Sequence, residues 1–160
     1  MAVVTASGTQ VFIGAAVQQI EADTLIEFQA MSNWTLIGEV ESVGEFGDQA
    51  NDVTFASLGD ARVRHAKGAR DAGTMALVCG HDPTDVGQIA VDAAEQTKSN
   101  FAWRVILPDA PTGTFQNTVY YFRGLVASRR KNIGSNDNIV RVNFNVLVNS
   151  EIFTDLSHSV

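Results

Sequence analysis

The sequence predicts a mainly β member of the α+β class, an antiparallel sandwich or sheet rolled toward a barrel, with one amphipathic helix and one long loop. Three observations carry this. Several stretches alternate apolar and polar residues, one stretch repeats apolar residues at helical spacing, and turn-forming clusters separate them. At 160 residues and 17.2 kDa, the chain fits one domain, 1–160, with a core that needs no disulfide or metal. Hydrophobic residues at 45% against 18% charged exclude a disordered chain, and the low charge suggests that partners cover some of the surface.

Gln10 to Val17 alternates as a strand, and Gly38 to Phe46 does so with Glu39, Glu41, Val43 and Glu45 on one face and Val40, Ser42, Gly44 and Phe46 on the other. Val53 to Leu58 is its expected hairpin partner, across the turn-rich 47–52 segment. From Gly59 to Gly73 bases, glycines and small residues follow no apolar period, which predicts a long loop. Thr74 to Gly80 is a nearly continuous apolar strand suited to burial on both faces. A helix over about 83–98 follows, with Asp82 as cap, Pro83 in its first turn, and Val86, Ile89, Ala90 and Ala93 on its packing face. Strands resume over Phe101 to Leu107 and Thr118 to Ala127. The last begins near Ile139, after the turn Gly134 to Asn138, with Val140, Val142, Phe144 and Val146 toward the core.

Charge is segregated along the chain. The net charge of −7 divides into nine acids and no base in residues 1–60, and nine acids against eleven bases in the rest. Arg62, Arg64, Lys67 and Arg70 cluster in the expected loop, and Arg129, Arg130 and Lys131 form a run. Such complementarity predicts head-to-tail self-association that salt weakens. With a pI near 4.8, stable binding of nucleic acid is disfavoured, whereas a surface that must touch DNA and release it needs few bases and some carboxylates.

The constellations for catalysis are thin. Gly68 to Thr74 lacks the lysine of a phosphate loop, and Cys79 and His81 read more simply as a buried thiol and a surface imidazole. Three glutamates on one hairpin face suggest a solvated wall rather than glycosidase acids. Asn33-Trp34-Thr35 is a chance acceptor match without secretory context. No metal-ligand spacing, cofactor site or membrane span is expected, and the single cysteine points to synthesis in a reducing cytoplasm.

The order of these features resembles the tail tube, or major tail, proteins of long-tailed lambda-type phages and related phage-like gene-transfer particles. The matching pieces are Gly68-Ala-Arg-Asp-Ala-Gly-Thr-Met-Ala-Leu-Val78, Asp85-Val-Gly-Gln-Ile-Ala90, Ala102 to Pro108, and Phe122-Arg-Gly-Leu-Val-Ala-Ser128, in the right order from about Trp34 to Glu151. The immunoglobulin-like domain that follows the tube domain in some members is not expected here.

The resemblance implies a virion protein, made in the bacterial host cytoplasm, whose hexameric rings stack into a hollow tube with a continuous inner barrel around a DNA channel. It implies as partners further copies of itself, a tape-measure protein, a tail terminator, distal tail or baseplate proteins and assembly chaperones, with transient passage of double-stranded DNA. Glu39, Glu41 and Glu45 would line the lumen, and Arg62, Arg64, Lys67 and Arg70 would form a basic arm onto the next ring. Arg141 either pairs with Glu41 or faces outward. A secretion-system inner tube, a distal tail or terminator ring, or a monomeric ligand-binding barrel are the alternatives.

Overall fold

Val11 and Ile13 are buried on β1 (Gln10–Val17), the strand expected there, and they set the inward face of a sheet. The computed structural model describes residues 3–17 and 24–160. Among these lie α1 (Leu25–Ala30), β2 (Thr35–Leu36), β3 (Val40–Val43), β4 (Gln49–Ala56), β5 (Val63–Asp71), β6 (Thr74–Gly80) and α2 (Val86–Glu95). β7 (Asn100–Ile106), β8 (Val119–Asn132), β9 (Arg141–Val148) and β10 (Phe153–Asp155) follow. The main sheet is antiparallel in the order β2-β1-β7-β8-β9-β6-β3, with β10 also on β8.

Only Ile37, Gly38 and Glu39 separate β2 from β3, yet these two strands end opposite sides of that order. A flat sheet would hold its ends too far apart for three residues to span. The sheet therefore rolls, as the sequence predicts, around Val11, Ile13, Met75, Leu77, Trp103, Phe122, Val142, Phe144 and Val146. Val142, Phe144 and Val146 on β9 are buried as expected, while Val140 is half-buried just before the strand.

α2 closes the roll, and it differs from the expected helix in start and in face. Asp85, not Asp82, is its N-cap, accepting from the Gln88 amide at 2.8 Å and from the Gly38 amide at 3.0 Å. The 82–84 segment is a turn before it, in which Asp82 Oδ1 accepts from the Thr84 amide at 2.9 Å. Gly87, Gln88, Val91 and Ala94 are buried, whereas Val86, Ile89 and Ala93 are exposed and Ala90 is half-buried. The packing face is thus rotated by one residue, because the helix sits so close to the β2–β3 corner that only small or hydrogen-bonding residues fit.

The largest correction concerns the expected hairpin and loop. β3 pairs with β6, and β4 pairs with β5 in a separate two-stranded ribbon, so Val53 to Leu58 is no partner of the glutamate-bearing strand. Val63–Asp71, expected as loop, is a nine-residue strand. Among the described residues nothing covers either face of the ribbon, so its sequence shows no period of apolar burial. β6 is buried on one face only, again unlike the expectation, because no layer covers its outer face among the described residues.

Two further elements carry no strong sequence signal. α1 is fixed by a capping box between Thr24 and Glu27, and it seats Phe28 on the outer face of the sheet, 5.6 Å from the Tyr121 ring. β10 adds Phe153 beside it. These cover β1, β7 and the first half of β8, leaving the outer face of β8's second half, β9, β6 and β3 open.

Candidate assembly interface

β8 changes neighbours halfway along. Its residues 119–124 pair with β7, but residues 125–132 pair with β9 on one side and, among the described residues, with no strand on the other. The run Arg129, Arg130 and Lys131 lies on this unpaired edge rather than in a loop, and Arg129 is tied to Asp92 of α2 at 3.3 Å. At the far side of the same half-sheet, β3 pairs with β6 and, among the described residues, with no other strand. A cleft of about 430 Å³ lies between Val40–Val43 and residues 6–9, so on this side β3 meets a cleft and no paired strand among the described residues.

The three expected wall glutamates are all exposed, but they do not share one strand face. A bulge between Val40 and Ser42 breaks the alternation, turning Val40, Val43 and Phe46 toward the core. Glu39 precedes β3 with φ of 55°, its carbonyl accepting from the Gly80 amide at 2.8 Å. Glu45 follows β3 and lines an apolar cleft. Glu41, at the bulge, meets Arg141 of β9 through two contacts, Nε to Oε2 and Nη2 to Oε1, the second at 3.1 Å. The guanidinium hydrogen bonds hold the Glu41 carboxyl below its ordinary range and push Arg141 upward.

The bases expected in the arm are brought onto the ribbon, where acids meet most of them. Arg64 pairs with Asp60 at 2.6 Å, Lys67 stands opposite Asp52 in register, and Arg70 lines a cleft at the ribbon base with Asp48, Asp71 and Glu151. His65 Nδ1 lies 2.8 Å from Asp52 Oδ2. Arg62, in the turn, forms no ion pair among the described residues. What the charge pattern did not show is the ribbon's apolar side chains: Val53, Phe55, Leu58 and Val63 are all exposed, Leu58 completely.

The remaining outer face of the half-sheet is built from short polar and small groups. Asn143, Asn145 and Arg141 of β9 stand in register with Val78, Ala76 and Gly80 of β6, and Ser128 hydrogen-bonds Asn145 at 3.0 Å. Cys79 points the other way, fully buried, and burial followed by the nearby Asp85 charge pushes its thiol up to about 12, which makes it a poor nucleophile. Among the described residues no group of side chains has metal-holding geometry, and no helix is long and apolar enough to cross a membrane.

A family model described as phage tail tube protein, TTP, matches residues 3–152. No curated protein matches the chain by sequence. Among solved structures, the chain is similar in fold to the SPP1 tail tube, with a TM-score of 0.66 at 13% identity over 98% of this chain and 80% of that one. It is similar to the sheath/tube terminator of the PVC extracellular contractile injection system, with a TM-score of 0.68 at 9% identity over 97% and 98% of the two chains. The tail of an empty GTA particle, refined with C6 symmetry, gives 0.58 at 13% identity over 78% and 87%.

Proposed function

Because the chain belongs to the phage tail tube protein family, and is therefore a structural and non-enzymatic component of the virion tail, we propose that six copies join edge to edge into a ring and that rings stack into a channel for DNA. One observation carries this reading: among the described residues, the half-sheet β8-β9-β6-β3 ends in two unpaired edges of opposite charge. Unpaired edges are templates for further strands, and like charges on both would keep copies apart. Here Arg130 and Lys131 mark one edge and Glu39, at the head of β3, marks the other, Glu41 being paired with Arg141, so the favoured pairing is β8 of one copy with β3 of the next. Repeated around an axis, that heterologous contact closes a barrel with no edges left. Six is the symmetry of the GTA particle tail.

In such a barrel the core face of the half-sheet points outward, and the open face lines the channel. That wall presents Ser42, Ala76, Ser128, Asn143 and Asn145, with Arg141 neutralised by Glu41 and Arg130 set at the seam toward the neighbour's Glu39. The wall is less acidic than three free glutamates per copy would make it. Few bases are free to displace phosphate counterions, so DNA is not retained. Self-association and contact with other tail components, a terminator and a tape-measure protein among them, follow from the same reading.

The experiment is negative-stain electron microscopy with analytical ultracentrifugation of the full chain at low and high salt. Six-fold end views are expected, with rings weakened by salt, since exposed charges are screened beyond about 8 Å at physiological ionic strength and at shorter range as salt rises. Arg130→Glu with Lys131→Glu should leave monomers, and adding Glu39→Lys should recover rings in part. Unimpaired rings from the β8 double variant count against the edge assignment. Rings that form but never stack favour a terminator-like role instead.

A further inference from the structure

The β4–β5 ribbon is a two-stranded sheet outside the main one, and such a ribbon is marginal in water unless something packs on it. Its exposed apolar residues are concentrated toward the turn: Phe55 near the end of β4, Leu58 within the turn, and Val63 at the start of β5. Arg62 stands beside them without an ion partner among the described residues. At the opposite end of the ribbon, where the chain leaves β3, a cleft of about 510 Å³ opens at the mouth of the rolled sheet. Its apolar lining is Phe46, Leu107, Tyr120 and Ile152, and the carboxylates of Glu45 and Asp48 stand at its edge. The Phe46 ring meets Tyr120 edge-on at 5.7 Å, so two packed aromatic rings line the cleft.

We propose that the ribbon tip of one copy, Phe55, Leu58 and Arg62, seats in this cleft on a second copy of the same chain in the adjoining ring. The proposal rests on the ring-stacking reading above and names the receptor for the arm. Three features of the two surfaces select that occupant. The tip is apolar with one free guanidinium, and the cleft is apolar with two carboxylates. The tip cannot fold back into its own cleft, since β4 starts one residue after Asp48 and runs outward for eight residues, roughly 25 Å of extended chain. A surface at one end that fits a pocket at the other makes a head-to-tail contact that does not close on itself, and such a contact propagates as an open stack. The ribbon is then stabilised by the neighbour that it joins.

The test uses the full chain and reads ring and stack separately. Leu58→Asp changes a fully exposed residue, so folding is preserved, as circular dichroism checks. Six-membered rings without stacks are expected from it and from Arg62→Glu, and combining Arg62→Glu with Glu45→Arg should restore stacks. Leu58→Cys with Thr154→Cys, the latter at the lining of the cleft, should give interchain disulfide ladders on oxidation of preformed tubes. Stacks of normal length from Leu58→Asp, or tubes from the double-cysteine chain that give no ladder, overturn the cleft assignment while leaving the tube reading intact. Loss of rings as well as stacks in Leu58→Asp overturns it too, by placing the tip in ring closure. Absence of rings in the unaltered chain is a failure of the earlier reading and is seen before any variant is made.

Discussion

Arg141 on β9 reaches across Gly80 of β6 to grip the Glu41 carboxylate on β3, joining three neighbouring strands on the open face of the sheet. Gly80 has no side chain to block the path, and the bulge at Glu41 brings the carboxylate toward it. The pair takes one acid and one base out of the charge balance of the proposed channel wall. It also pins β3, the edge strand of the proposed ring contact.

The lowered Glu41 pKa has a pH consequence. A carboxylate depressed in the folded state contributes stability that is complete above its ordinary pKa and disappears as pH falls through the folded value. Glu41→Gln should therefore melt below the unaltered chain at pH 7 and approach it as pH falls toward 3. Thermal melts at both pH values measure the difference, and a gap that widens in acid contradicts the assignment.

Gly87 lies against the β2–β3 corner, where a Cβ would collide with the Leu36 carbonyl oxygen and stand 2.5 Å from the Ile37 Cα. Alanine is normally the better helix residue. Gly87→Ala is nevertheless expected to destabilise the subunit by about 1–3 kcal/mol, because the backbone of the corner must move. Urea denaturation tests it.

Gln88 is a buried amide that satisfies three backbone groups around the same corner. Its Nε2 donates to the Gly80 carbonyl at 2.8 Å and the Gly38 carbonyl at 3.2 Å, and its Oε1 accepts from the Asp82 amide at 3.2 Å. Gln88→Leu keeps the volume and leaves those groups without partners, a loss of about 1–3 kcal/mol per group left buried. Faster hydrogen exchange at the Asp82 amide would accompany the lower denaturation midpoint.

The rotated face of α2 separates two kinds of apolar residue. Val91→Ala should cost about 2 kcal/mol through lost burial and the cavity left behind. Ile89→Gln, on the exposed side, should shift subunit stability by less than about 0.5 kcal/mol. Equal losses at both positions would put the packing face back where helical periodicity alone sets it.

Cys79 should resist thiol reagents at pH 8 in the folded chain and react fully in denaturant, since it is fully buried and its thiol is pushed up to about 12. Ellman titration with and without urea distinguishes the two states. Rapid labelling of the native chain would contradict the burial.

The apolar pattern located β1, β6, β7 and β9 to within a residue or two, through alternation at β1 and β9 and through a nearly continuous apolar run at β6, because each strand sends at least one face into the core. The order of short motifs also pointed to the family, and the clustering of charge pointed to self-association. Part of the Asp85-Val-Gly-Gln-Ile-Ala90 segment acquires a physical meaning only in three dimensions, as the clasp of Asp85, Gly87 and Gln88 on the corner that closes the roll.

What tertiary structure alone decided is which strands pair and which edges stay unpaired. Charged residues in a strand and in a loop look alike along the chain when neither strand face is buried, and this hid β5 and the basic end of β8. The bulge at Glu41 changes the facing of the rest of β3 by one position, and nothing in the local pattern marks it. Pairing partners are chosen by long-range register and by how the sheet rolls, both properties of the whole chain, so the opposed acidic and basic edges become visible only once the fold is formed.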